Sequence, residues 1–245
     1  AKDSRFKLVH QKNKGLAGAR NTCLKHMKGE YVTWVDSDDI IEPNYLEKLV
    51  TTVLETQADI VQCMFYGIKG DQKAYYVFPK LTDRVKKLEL SRDELIWNTW
   101  TDKYYITVMW ANLVNRRLYQ GLYFSQGILY EDTGNKFKLY FRANKMVIIS
   151  DTLYGYRQRE NSIMGKTKNE IDNFRKNYIC NLEKYTYYLN LVNMDSNRTN
   201  NIYLGIMEFW KGNARFDDQK QQEDWDSFWN KKIKRARRLL DMSKE

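Results

Sequence analysis

The chain has 245 residues, with 41 Lys and Arg against 31 Asp and Glu, a formal charge of +10. A hydrophobic share of 42% supports a core and excludes a chain disordered throughout, and no apolar run comes near the ~20 residues that span a bilayer. Three widely spaced cysteines (Cys23, Cys63, Cys180) and two histidines (His10, His26) exclude a disulfide framework, a zinc ribbon and a His-rich metal site, and fit a reducing compartment.

In chain order, residues 6–10 (FKLVH) read as a short strand, with a turn at residues 12–15. Residues 17–27 read as a helix with Ala19, Cys23 and Met27 on one face. Residues 30–35 (EYVTWV) read as a buried strand running into Asp36, Ser37, Asp38 and Asp39. A helix opens at Pro43 with an apolar stripe of Leu46, Leu49, Val50, Val53 and Leu54. Residues 58–66 are a further strand. This alternation predicts an α/β domain with a mainly parallel sheet flanked by helices.

Residues 67–90 are polar and irregular, with a hairpin strand expected at 75–78. Ser91 and Glu94 form a capping-box pattern that opens a helix through Trp100. Residues 110–118 read as a helix, Glu131 and Asp132 precede another that ends near Ala143, and 146–149 and 153–157 read as short strands. From about residue 169 the pattern becomes helical, with helices near 169–193, 199–215 and 222–241. The expected division is an α/β domain over 1–165 and a helical C-terminal region over 166–245.

Four local features can carry chemistry. The carboxylates of Asp36, Asp38 and Asp39 follow a strand end, where α/β sheets bind ligands. An oxygen-only set suits Mg²⁺ or Mn²⁺ completed by phosphate; the plainer reading is an acidic turn capping the next helix. Asn13 to Asn21, with Gly15 and Arg20, is a strand-to-helix turn that could hold phosphate, or an ordinary turn with a surface Arg. A carboxylate at Glu131 or Asp132 can be a general base facing a cleft, or simple helix N-terminal charge. Arg157, Arg159 and Ser162 could close on a diphosphate, or form a basic surface loop.

Taken in order, NKGLAGARN, EYVTWVDSDD, IEPNYLEKLV, the segment MWANLVNRRLYQGLYFSQGILYED and YGYRQRENSIM resemble the inverting glycosyltransferases of family 2, which have the GT-A fold. The resemblance covers about residues 5–165 and is nearest to bacterial members that build capsule, exopolysaccharide or teichoic-acid glycans. It implies a nucleotide-diphosphate sugar as donor, a UDP-sugar by family habit, and a glycan or lipid-linked acceptor hydroxyl. It implies Asp38 as main metal contact with Asp36 and Asp39 beside it, Mg²⁺ or Mn²⁺ as the cofactor, and Asp132 as base with Glu131 next to it. It implies Asn13, Gly15, Arg20, Asp36, Arg157, Arg159 and Ser162 on the donor. Trp110 and Tyr130 are candidates for stacking on the acceptor, against a plainer reading of both as core aromatics. The family's opening strand, with its Pro-x-Tyr-Asn-like motif, and the strand ending in Val-Asp-Asp-Gly-Ser have no counterpart here. The resemblance therefore implies an N-terminally truncated enzyme, with self-association as one consequence of an uncovered sheet.

The last predicted helix carries Lys231, Lys232, Lys234, Arg235, Arg237 and Arg238. It reads first as a solvated face with Trp225, Phe228, Trp229, Ile233, Ala236 and Leu240 packed inward, and second as a surface for anionic membrane. The expected location is cytoplasmic, with contact to the inner face of the plasma membrane as the extension of that second reading. Two rival functions stay open: a basic nucleic-acid-binding module, opposed by the acids at 36–39 and the lack of a recognised motif, and an inactive glycosyltransferase fragment acting as a scaffold.

Overall fold

Strand β3 (Ile60–Lys69) is apolar along most of its length and almost wholly buried, a pattern that suits only the middle of a sheet. One edge pairs in parallel with β7 (Lys145–Arg157). The other pairs antiparallel, first with β6 (Asn112–Asn115) and then with β4 (Gln72–Tyr76). The computed structural model describes residues 3–159, apart from 79–80, 82–84, 102–103, 105 and 128–129, together with 218–241 and the isolated positions 184, 204–205, 207–208, 211–212 and 216.

The main path of the sheet runs β1 (Tyr31–Val32), β6, β3, β7, β2 (Ile40–Ile41), and β5 (Lys87–Ser91) also pairs with β7. The α/β architecture is as expected. Within the described residues β3–β7 is the parallel pairing and the other strand pairings are antiparallel. The described sheet is therefore mixed rather than mainly parallel as expected, and the β3–β7 pair is reached through intervening helices, as a parallel pair requires.

Alternate residues of β3 and β7 feed two cores. Ile60, Met64, Met146 and Ile148 pack under α3 (Arg92–Thr101) and α4 (Thr133–Arg142). Val61, Cys63, Val147 and Ile149 pack under α2 (Tyr45–Thr56). Helix α2 buries Tyr45, Leu49 and Val53. Each such burial is worth roughly 1.5–3 kcal/mol. Leu46, Val50 and Leu54 of the expected stripe face outward instead, because Tyr45 turns the buried face by one position. The helix stops at Gln57, whose left-handed backbone lets its N–H donate to the Val53 carbonyl.

Several expectations are corrected. Residues 6–10 form no strand: Phe6 and Leu8 are exposed, and no described strand pairs with them. The strand expected at 30–35 pairs only at Tyr31–Val32, plus a bridge from Trp34 to Trp110, and is half-buried, because β1 has a single neighbour. Residues 110–118 are not a helix. Ala111 has φ +58°, which breaks a helix, and the segment continues as β6 and a 3₁₀ turn, Arg116–Tyr119. The two short strands at 146–149 and 153–157 are one strand, bulged against β3 near Met64. Strand β5 falls in a stretch read as irregular.

The Ser91–Glu94 capping box is present, with the Ser91 N–H donating to Glu94 Oε2 at 2.9 Å. Helix α1 spans Gly15–His26 and α5 spans Gln219–Asp241. On α5, Trp225 and Trp229 are fully buried and the six expected cations are exposed, in agreement with a solvated basic face. Of the helices read near 169–193 and 199–215, only the isolated positions named above are described. No described helix is long and apolar enough to cross a membrane.

Candidate active site

The residues after Trp34 turn sharply, with the Asp39 N–H donating to the Asp36 carbonyl at 3.1 Å. Tyr154 of β7 pins this turn. Its hydroxyl oxygen accepts from the Asp36 N–H at 3.2 Å and its O–H donates to Asp39 Oδ2 at 2.7 Å. The Arg157 N–H donates to Asp39 Oδ1 at 2.9 Å. Both Asp39 oxygens are therefore committed to holding the turn on the sheet. The Tyr154 ring lies flat on Trp110, with centroids 4.5 Å apart, and Tyr156 stacks on the same indole at 5.4 Å. Gly155 between them is required: a Cβ there would come within 2.9 Å of the Tyr66 ring. Burial pushes the Tyr154 hydroxyl far above the usual tyrosine range, so it stays a donor.

With Asp39 occupied, Asp36 and Asp38 are presented differently. Asp38 is the more open, its side chain 42% exposed, with Arg159 at 3.6 Å. Asp36 points toward Arg20, 3.7 Å away. Burial raises its pKa, Arg20 opposes that, and Asp39, Asp38 and Asp132 add to the rise.

Arg20 is the hub. It leaves α1 beneath the acidic turn with its side chain only 5% exposed. The guanidinium lies against the edge-to-face pair of Trp34 and Phe124, 5.9 and 5.7 Å from their centroids. Its Nη1 donates to Glu131 Oε1 at 2.5 Å, across 111 residues of sequence. The neighbouring Asn21 makes a two-way clamp with the Phe124 backbone, donating at 2.7 Å and accepting at 2.8 Å. That clamp fixes the segment leading to the second acidic pair.

Tyr130 adopts a left-handed φ of +68°, and the chain then enters α4 through Glu131 and Asp132. Asp132 Oδ1 accepts from the Thr133 N–H at 2.7 Å, and the Asp132 carbonyl accepts the first helical bond, from the Lys136 N–H. Burial raises the pKa of Asp132, while the Thr133 N–H, Arg20 and Lys136 pull it back. Burial also raises that of Glu131, with Asp132 adding and Arg20 opposing. Two carboxylates that resist ionisation thus sit beside one buried cation.

The structure brings together Arg20, Asp36, Glu131 and Asp132, with Asp38 and Asp39 on the adjoining turn. Tyr130 is half-buried beside Asp132, whose charge raises its pKa further after burial. Asn13 and Gly15 are exposed and build the turn into α1: Asn13 Oδ1 accepts from the Gly15 N–H at 2.9 Å, and Gly15 supplies φ +69°. Arg20 is buried and paired with acids rather than offered to solvent as a free fork. Trp110 is only 5% exposed and stacks on Tyr154 and Tyr156, as the plainer reading of it as a core aromatic would have it. Arg157 and Arg159 are exposed near the acidic turn, and Ser162 lies outside the described residues. Lys136 escaped the sequence reading, and Tyr154 stood in the YGYRQRENSIM segment without a role of its own. Lys136 had a visible signal, an acid followed by a base at i+4 on a helix.

No group of three or more His, Cys, Asp or Glu among the described residues forms a cluster able to hold a metal. The acids fit a different kind of site. An open Asp38 with Asp36 behind it offers hard oxygen ligands that a substrate's phosphate oxygens would complete, as Mg²⁺ sites commonly require.

A glycosyl transferase family 2 model matches residues 1–122. The glycosyltransferase GlyA of Streptococcus pneumoniae is 35% identical over 169 residues, 66% of this chain and 24% of that protein. GlyG of the same organism is 33% identical over 169 residues, 66% of this chain and 55% of that protein. The chain thus spans about a quarter and about half of these two relatives. Among solved structures, residues 1–349 of Staphylococcus aureus TarS in complex with UDP-GlcNAc superimpose with a TM-score of 0.60 at 17% identity, over 89% of this chain and 61% of that one. The first half of the sequence carries the family's pattern and the sheet with its flanking helices carries the family's fold, so the chain belongs to glycosyltransferase family 2.

Proposed function

We propose that this chain provides the donor-side acids and the base of an inverting glycosyltransferase. It would move a sugar from a nucleotide diphosphate to a hydroxyl of a glycan or lipid-linked acceptor in bacterial cell-surface polysaccharide synthesis. The observation that carries this is the Arg20 bridge, which draws the acidic turn and the Glu131–Asp132 pair into one site. A UDP-sugar is the favoured donor, given the UDP-GlcNAc bound by the TarS neighbour.

In this reading Asp132 accepts the proton of the acceptor hydroxyl. The hydroxyl oxygen then forms its bond to the anomeric carbon as the bond from that carbon to the diphosphate oxygen breaks. The electron pair leaves with the nucleotide, and attack from the face opposite the diphosphate inverts the configuration. Arg20 and Glu131 hold Asp132 in place, and Arg157 and Arg159 lie where they can meet phosphate charge. Asp38 and Asp36 would hold a divalent cation, while Asp39 anchors the turn. When bound, that cation supplies Lewis-acid stabilisation of the leaving diphosphate.

The test is Asp132→Asn. Turnover of UDP-GlcNAc and other UDP-sugars is expected to fall by about 10²-fold or more, with donor affinity by calorimetry unchanged. A mutant that keeps wild-type turnover removes Asp132 as the base.

A further inference from the structure

An aromatic row begins at the acidic turn and continues past the residues that the reaction uses. Strand register puts it on one face of the sheet. Tyr76 of β4 pairs with Phe65 of β3, Phe65 with Tyr154 of β7, and Gly67 with Tyr156, and residues two apart on a strand share a face. Phe65 stacks on Tyr76 with centroids 4.7 Å apart and meets Trp110 edge-on at 4.9 Å. Trp110 and Tyr154 are buried and form the backing. Tyr76 is 45% exposed and Tyr156 is half-buried, so both rings reach solvent. Packing alone does not call for a ring at Tyr76: β4 is exposed along its whole length, where Thr or Val would pair as well.

Gly67 brings a polar group among these rings. Having no side chain, it lets the exposed Gln158 lie down across β3: a Cβ at Gly67 would come within 3.1 Å of Gln158 Nε2 and 3.5 Å of the Tyr76 ring. The Gln158 backbone N–H donates to the Ile68 carbonyl at 2.8 Å and holds the residue against the same strand. Tyr156 has both the acidic turn and Tyr76 as neighbours: burial raises its hydroxyl, and Asp39, Asp38, Asp36 and Tyr76 add to the rise. Gln158 is four residues beyond Tyr154, roughly 13 Å along an extended chain. Exposed ring faces beside an amide suit a pyranose. The negative π face attracts the polarised axial C–H groups of the sugar, and the amide can exchange hydrogen bonds with its hydroxyls. A β-linked sugar of gluco configuration presents such C–H groups on both faces.

We propose that Tyr76, Tyr156 and Gln158 form a subsite for the acceptor glycan, which holds a β-linked pyranose residue beyond the one whose hydroxyl reacts. This rests on the reading of the acceptor as a glycan. The row leads away from the acidic turn, so its far end suits a further residue of a glycan chain rather than the one sugar carried on the donor's diphosphate.

The experiment titrates the full chain with chitotriose and cellotriose, read by saturation-transfer NMR at the sugar C–H protons, and with UDP, read by calorimetry. The parent protein, Tyr76→Ala and Tyr76→Phe are compared, with thermal unfolding of each. Both trisaccharides are expected to bind the parent, with the strongest transfer at axial ring protons. Tyr76→Ala is expected to bind them about tenfold more weakly with its UDP affinity unchanged, and Tyr76→Phe, which keeps the ring face, to bind like the parent. A Tyr76→Ala protein that binds the trisaccharides as the parent does overturns the proposal. So does one that loses UDP affinity as well, since the ring would then serve the donor's base. If Tyr76→Ala melts below the parent, Gln158→Ala at the exposed amide decides, with weakened trisaccharide binding in favour and unchanged binding against. A parent that binds UDP and neither trisaccharide overturns the subsite alone. A parent that binds neither UDP nor trisaccharide overturns the donor-site reading together with it.

Discussion

Replacing Arg20 by Met should unfold the site from its centre, and the loss should depend on pH in a particular direction. The Arg20 and Glu131 side chains are 5% and 10% exposed, so their 2.5 Å pair is shielded from solvent. Removing one partner of a buried pair costs about 3–5 kcal/mol, mostly because the other charge is left uncompensated. Met refills part of the space beside Trp34 and Phe124, which places the expected loss near the lower end of that range at pH 7.5. Glu131 and Asp36 already have raised native pKa values from burial, and Arg20 opposes the rise in both. A carboxylate whose native pKa lies above its unfolded value binds more protons folded than unfolded. It therefore costs nothing below the unfolded value, progressively more as pH rises from the unfolded toward the native value, and a constant amount above it. Without Arg20 both values climb further, so the deficit should be largest at pH 7–8 and shrink toward pH 5. Urea unfolding followed by tryptophan fluorescence at pH 7.5 and 5.0 measures this. The double variant Arg20→Met with Glu131→Gln should recover a large part of the loss, because the stranded carboxylate is gone. An equal deficit at both pH values, or no recovery in the double variant, refutes the claim that Arg20 acts as the buried counter-charge of these acids.

Two further outcomes follow from the acidic turn. If Asp38 and Asp36 hold a cation completed by the donor's phosphates, turnover stops in EDTA and returns with Mg²⁺ or Mn²⁺, and Asp38→Asn abolishes the metal-dependent part of UDP-sugar binding by calorimetry; full activity in EDTA removes that role. Tyr154→Phe deletes both hydroxyl bonds that pin the turn and leaves an Asp39 oxygen unpaired, a cost of roughly 1–3 kcal/mol. It should also raise KM for the donor more than it lowers kcat, and a variant with parent-like stability and KM would show that the turn holds its shape without Tyr154.

What could be read from the sequence was what local chemistry decides. Pro43 and an apolar stripe suffice to start α2, Ser91 and Glu94 bond each other whatever surrounds them, and the polar run at 36–39 can only be a turn. What could not be read depends on partners far along the chain. Residues 6–10 have strand composition, but strand geometry needs a neighbour to take its N–H and C=O groups, and none is described. The segment 110–118 has a helix-compatible apolar pattern, yet it pairs with β3 through Leu113 and Asn112, and a left-handed Ala111 is not something alanine advertises. The site divides along the same line. Its acids were visible as motifs, because carboxylates crowded in sequence are conspicuous. Their control was not, because Arg20 and Glu131 meet across the fold and Tyr154 reaches the turn from β7. A surface Arg forking to phosphate and a buried Arg balancing acids look alike in one dimension. They differ only in whether Trp34 and Phe124 close over the guanidinium, and that closure is what turns two acidic motifs into a single electrostatic unit.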